Sequence, residues 1–199
     1  VTIGNVTISD INGDSYIIKW EGNNVKIITG NGDDSITNYN DSLVFIDAGE
    51  GDNGIQSSSD YTTINSGNGN DGISNFGNYV TLKSGSGNDT ITNSGNFVSI
   101  NCNGTGNDTI VNNFGENVTI QGGSDDDHII DMNGKNNLIQ SGNGNDTVEN
   151  YSSKITINGG TGNDIITNYS SQYSRYRANY TSINGGDGDE IGRASCRER

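Results

Sequence analysis

The segment Gly67-Asn-Gly-Asn-Asp71-Gly-Ile73-Ser-Asn75-Phe-Gly-Asn-Tyr-Val80-Thr-Leu82-Lys-Ser84 is followed at once by Gly85-Ser-Gly-Asn-Asp89-Thr-Ile91-Thr-Asn93-Ser-Gly-Asn-Phe-Val98-Ser-Ile100. The second stretch repeats the first. Each opens with Gly-x-Gly-x-Asp, places an aliphatic residue two positions after the Asp and an Asn two positions after that, and closes on an alternating aliphatic pair (Val80/Leu82, Val98/Ile100). Alternation with period two over so few residues, bounded by glycine and asparagine, marks short strands and turns, not helix.

Working outward, the same opening or a near variant stands at Gly30, Gly49, Gly67, Gly85, Gly104, Gly123, Gly142, Gly160 and Gly186, in steps of 19, 18, 18, 19, 19, 19, 18 and 26 residues. The aliphatic position holds Ile36, Ile55, Ile73, Ile91, Ile110, Ile129, Val148 and Ile166. The Asn position holds Asn38, Asn75, Asn93, Asn112, Asn150 and Asn168, with Ser57 and Asp131 as exceptions. One unit cannot bury its few aliphatics alone, but stacked units bring them into a continuous thin core. The prediction is an all-β fold, a parallel β-roll or β-solenoid of 18–19-residue coils, with neighbouring coils about 4.8 Å apart. Residues 1–29 read as degenerate N-terminal coils, with Ile17, Val25 and Ile27 at core positions and Val6/Ile8 ending an earlier turn; residues 30–190 form the repeat solenoid. The last nine residues, Ile191–Arg199, break the pattern, resemble the translation of a sequencing adapter, and are expected to be a non-native tail.

Composition agrees with a thin rod. Only 29% of residues are hydrophobic, against 30 glycines and no proline, too little apolar material for a compact globule of this length. The formal charge of −15 argues against nucleic acid and anionic membranes, both of which are held through Lys and Arg. No apolar run approaches a membrane span, so no membrane insertion by this segment is expected. The chain starts at Val1, and a leader upstream is expected.

Stacking the units lines up Asp34, Asp71, Asp89, Asp108, Asp127, Asp146 and Asp164 along one edge, interrupted by Asn53. Carboxylates one coil apart repel by about 1 kcal/mol per pair even at the dielectric of water. Calcium resolves that conflict, because it is hard and takes carboxylates together with backbone carbonyls. The paired glycines of each opening can turn carbonyls toward an ion: Gly30 and Gly32, Gly49 and Gly51, Gly67 and Gly69, Gly85 and Gly87, Gly104 and Gly106, Gly142 and Gly144, Gly160 and Gly162, with Gly123 followed by Asp125 in the unit that departs from the pattern. These residues are the candidate metal ligands. Zinc and copper lack their usual donors, since His128 is the only histidine.

With those residues in view, the units resemble hemolysin-type, or repeats-in-toxin, calcium-binding repeats, whose signature is Gly-Gly-x-Gly-x-Asp-x-U-x. The leading glycine is present in Gly122-Gly123-Ser-Asp-Asp-Asp127, Gly159-Gly160-Thr-Gly-Asn-Asp164 and Gly185-Gly186-Asp-Gly-Asp-Glu190; Ser, Thr, Ala or Asn replaces it elsewhere. The resemblance implies calcium ions between successive turns, calcium-induced folding, and a secreted or cell-surface bacterial protein. The second turn of each coil lacks the Asp, so calcium is expected along one edge only, with an Asn-rich, metal-free turn along the other. Sites using Asn53 and Asp125 are expected to be weaker or vacant.

Other features carry less. Asp10, Asn12, Asp14 and Glu21 match the spacing of an EF-hand, but Ser15 stands where that loop requires Gly. Cys102 reads as a small residue outside the core alternation and His128 as a surface strand residue, so no catalysis is expected. The expanded turn at 169–180, with Tyr169, Tyr173, Arg175, Tyr176, Arg177 and Tyr180, has the composition of a recognition loop for an unidentified ligand. Two alternatives stand beside the calcium module. One is an ice- or surface-binding region, for which only Thr105/Asn107 and Thr161/Asn163 fit. The other is a polysaccharide-active enzyme, which would need acids grouped on a strand face. Exposed terminal coils make end-to-end self-association an expectation.

Overall fold

The structure, a computed structural model, describes residues 4–9, 13–19, 22–39, 42–169, 181–189 and 191–194. Among these the chain forms twenty strands in two ten-stranded parallel sheets. Alternate strands feed alternate sheets, so each coil contributes one strand to each: Asp60–Asn68 and Thr81–Ser86 to the first, Gly72–Asn75 and Thr90–Asn93 to the second. The predicted parallel β-solenoid is the fold observed.

Register follows the repeat. Ile73 pairs with Ile91, Ile91 with Ile110 and Ile110 with Ile129 in the second sheet; Ile64 pairs with Leu82 and Leu82 with Ile100 in the first. The inward side chains of the two sheets meet in one ladder of buried aliphatics from Val25 to Ile166, with Ile8 and Ile17 packed against its end. A slip of one residue would turn this whole set outward, which is why a core one side chain thick still fixes the register.

The turn opposite the Asp row is held by an amide ladder. Asn75 donates to Asn93 at 2.8 Å, Asn93 to Asn112 at 2.8 Å and Asn112 to Asp131 at 2.7 Å; the same amides donate to the Gly77 and Gly95 carbonyls inside their own turns. The left-handed positions of that edge go first to large apolar and aromatic residues. Leu43, Tyr61, Tyr79 and Phe97 occupy them at φ 54–58° in successive coils, with Asn117 and Asn136 taking over later. The aromatic rings offset this backbone cost by stacking along the axis: Tyr61, Tyr79 and Phe97 have successive centroids 4.9 Å apart and nearly parallel planes.

The coil holding Cys102 contains an extra residue. Leu82 to Asp89 spans seven positions and Ile100 to Asp108 eight. The first-sheet strand is shortened there to Ser99–Asn101, and the excess is taken up at Asn103-Gly104. Cys102 is therefore 1% exposed and lies inside the core, correcting its placement outside the alternation. The loop residues Tyr173, Arg175, Tyr176, Arg177 and Tyr180, the EF-hand-like Asp10, Asn12 and Glu21, and Glu190 lie outside the described residues. Of the final nine residues, Ile191–Ala194 pair with Ile165–Asn168 as a further strand of the second sheet.

Candidate metal centre: the buried aspartate row

The Asp row exists and is buried further than an edge position suggests. Asp34, Asp71, Asp89, Asp108, Asp127, Asp146 and Asp164 are all 0–3% exposed, as is Asn53. Their side chains turn inward, and each does a backbone task. The N–H of Asp71 donates to Oδ1 of Asp89 at 2.8 Å, that of Asp89 to Asp108, Asp108 to Asp127, Asp127 to Asp146 and Asp146 to Asp164. Ser15 N–H donates to Asp34, Asp34 to Asn53 and Asn53 to Asp71 in the same way. One oxygen of each carboxyl thus satisfies a turn amide of the preceding coil, which no ladder partner could reach.

The other oxygen is left without a partner. Oδ2 of Asp34, Asp71, Asp89, Asp127, Asp146 and Asp164 is fully buried and accepts no hydrogen bond. Hydroxyls of Ser66, Ser84 and Ser141 lie close enough to ease the charge on Asp71, Asp89 and Asp146. Ser66 and Ser141, however, direct their protons along the axis, to the carbonyls of Ser84 and Gly159.

Asn53 reveals what surrounds the orphan atom. It occupies the same register and keeps the same Oδ1 hydrogen bond, so its Nδ2 stands where the aspartates have Oδ2. That Nδ2 donates to the Gly51 carbonyl at 2.9 Å and to the Ser66 carbonyl of the next coil at 3.1 Å. In the Asp-bearing coils, then, a carboxylate oxygen replaces a donor among carbonyl oxygens. A side chain on Gly122 would meet both Asp127 Oδ2 and the Ser141 carbonyl, and one on Gly159 would meet Asp164 Oδ2 and the Gly185 carbonyl. In these two coils the leading glycine therefore leaves room beside the carboxyl, a place that Ser66, Ser84 and Ser141 fill in the coils of Asp71, Asp89 and Asp146. A buried carboxylate oxygen set against carbonyls, with no hydrogen bond of its own, needs a positive charge or a proton.

Burial raises the carboxyl pKa along the row, with neighbouring Asp charges adding to it. Asp71 is pushed up to about 6, Asp108 to about 7 and Asp127 to about 8; Asp89 and Asp146 are raised as well, by burial. At Asp108 the Cys102 thiol takes the place of the serine hydroxyl. Burial and the surrounding carboxylates push that thiol's own pKa up, so it is held as a neutral donor, not a nucleophile.

The candidate glycines sit as the turn requires. Gly30, Gly32, Gly49, Gly51, Gly67, Gly69, Gly85, Gly87, Gly106, Gly123, Gly142, Gly144, Gly160 and Gly162 all have φ between 90° and 134°. Gly104, beside the extra residue, does not. Asp125 takes the corresponding left-handed position at φ 73°, but it is exposed, and its Oδ2 accepts the Gly106 N–H at 3.0 Å, away from the buried row.

A second ladder was not anticipated from the sequence. The residue before each row position is exposed and also bonds along the axis, with opposite polarity: Asp52 N–H donates to Asp33 Oδ1, Asn70 to Asp52, Asn88 to Asn70 and Asn107 to Asn88. Its signal in the sequence is the recurring Asx at that position: Asp33, Asp52, Asn70, Asn88, Asn107, Asp126, Asn145 and Asn163.

Calcium fits this chemistry in part. The donors are all oxygen, carboxylate and carbonyl, and the orphan Oδ2 atoms supply the negative charge. Among the described residues no three Asp, Glu, His or Cys side chains converge on one point, so each site would draw one Oδ2 from its own coil and depend on backbone carbonyls for the rest. His128, on the outward face of the second sheet, lies 3.4 Å from Glu149 and takes no part. Comparison with family models, with curated proteins and with solved structures found no match to this chain.

Proposed function

We propose that the chain is a calcium-responsive structural module, a β-roll of the repeats-in-toxin type, from a secreted or cell-surface bacterial protein. One observation carries the reading: buried, unpartnered carboxylate oxygens recur at six of the seven row aspartates, Asp108 being the exception, among carbonyls that an amide satisfies at Asn53. At neutral pH a metal-free row must either hold protons or accumulate buried negative charge. A hard divalent cation supplies the missing positive charge without displacing the Oδ1 contacts. The residues that would hold it are the row aspartates through Oδ2, together with carbonyls of the glycine turns. The role is mechanical: the rod is ordered where calcium is plentiful and weakened where it is scarce. No catalytic role is assigned.

Isothermal titration of the chelator-stripped chain with calcium, and separately with magnesium, tests this. Saturable calcium binding that is lost when the row aspartates are replaced together by asparagine supports it. Absence of calcium binding, or binding that survives those replacements, removes the basis for it.

A further inference from the structure

Gly54 and Gly72 are glycines the fold does not explain. They are register partners in neighbouring strands of the second sheet, both face outward, and neither has a left-handed φ. A Cβ on Gly54 would meet nothing nearer than the Asp34 carbonyl at 3.9 Å, and one on Gly72 nothing nearer than the Asn53 carbonyl at 4.0 Å. Glycine inside a strand weakens it, and where sterics do not demand it the position marks close approach of a ligand or another backbone.

The missing side chains open a trough of about 330 Å³ along the rod axis. Ser35 and Thr90, the register partners on either side, close its ends, and Thr37, Gln56, Ser74 and Thr92 line its flank. Every polar side chain in it is a neutral hydroxyl or amide, in a chain whose net charge is −15. One coil beyond Ser35 the same column presents Tyr16, whose side chain is 76% exposed.

We propose that this trough binds an uncharged oligosaccharide laid along the rod axis. Hydroxyl and amide groups repeating at about the strand spacing offer both donors and acceptors to sugar hydroxyls. The bare backbone at Gly54 and Gly72 lets a sugar ring approach closely, and Tyr16 offers an apolar ring face to sugar C–H groups at one end. A charged glycan would find no countercharge there, and an acidic one would also meet the repulsive field of the chain.

The test uses the full chain in calcium, with neutral hexasaccharides of β-1,4-linked glucose, xylose and mannose, and hexagalacturonate as the charged control, read by saturation-transfer NMR and calorimetry. The key variant is Gly54→Thr/Gly72→Thr, which fills the trough with the residue the next coils carry in that column, Thr90 and Thr109. The expected result is binding of at least one neutral hexasaccharide, weakened about tenfold or more in the variant, while its circular dichroism is unchanged and its melting temperature is unchanged or higher. Should the double variant not fold, Gly72→Ser alone must weaken binding. The proposal is overturned by no neutral binding, by equal binding in the filled variant, or by binding of hexagalacturonate alone. It is also overturned if sedimentation shows a wild-type dimer that the variant dissociates, since the occupant would then be a second copy.

Discussion

Asp127→Asn is expected to stabilise the chain in chelator and to weaken its response to calcium. The Asp127 carboxyl is 2% exposed, and its pKa rises from an ordinary 3.8 to about 8 on folding, chiefly through burial. Each unit is worth about 1.4 kcal/mol, so at pH 7 the metal-free fold gives up about 4 kcal/mol at this one position in taking up a proton. Asparagine keeps the Oδ1 that accepts the Asp108 N–H, and presents an amide to the carbonyls, as Asn53 already does. Desolvating that amide returns part of the gain, leaving a net stabilisation of about 2–4 kcal/mol, or roughly 5–15 °C in Tm for a domain of this size. Thermal unfolding followed by far-UV circular dichroism, with chelator and with calcium, reads both effects. A variant that melts lower than wild type in chelator would refute the reasoning, because it would mean that the charged carboxylate is itself favourable in the metal-free rod.

The pH dependence has a definite sign. Carboxyls raised on folding contribute stability that is fully present below about pH 3.8 and lost as pH climbs through the folded values, about 6 for Asp71, 7 for Asp108 and 8 for Asp127. Urea midpoints in chelator should therefore fall from pH 4 to pH 8, and a midpoint rising over that range would contradict it. Asn53→Asp completes the row, so its metal-free melting temperature should drop while its calcium-induced gain increases; a reduced gain counts against the assignment. Gly159→Ala drives a methyl into Asp164 Oδ2 and the Gly185 carbonyl and should cost about 1–3 kcal/mol, whereas a neutral effect in denaturant melts would show that the pocket has slack. Ile91→Ala leaves a void in the fully buried ladder and should cost about 2–5 kcal/mol, measured the same way; a loss below about 1 kcal/mol would show that the coils collapse around it.

The coil register was legible because the repeat fixes it: with Ile73, Ile91 and Ile110 spaced 18 and 19 residues apart, only in-register parallel stacking buries all of them. The position of the Asp row was legible for the same reason. What its carboxylates do was less so. Repulsion along an exposed edge is the natural reading of aligned aspartates, yet the turn amides of neighbouring coils need acceptors, and the side chains fold inward to supply them. The exposed Asx ladder through Asp33, Asp52, Asn70 and Asn88 escaped notice because its residues vary between Asp and Asn, which share the one feature that matters, an acceptor oxygen. Aromatic residues at left-handed positions run against single-residue preference and become favourable only once Tyr61, Tyr79 and Phe97 stack across coils. The placement of Cys102 was missed because the period of 19 from Gly85 to Gly104 conceals an extra residue within the coil.

The most direct test of the central claim is a calcium titration of the chelator-stripped chain at pH 7, followed by far-UV circular dichroism and thermal melting, with magnesium in parallel. A cooperative, calcium-specific gain in β signal or melting temperature is the expected result. A rod equally ordered and equally stable with chelator, magnesium or calcium would contradict it, and would mean that protons and the Asn and Ile ladders alone hold the solenoid.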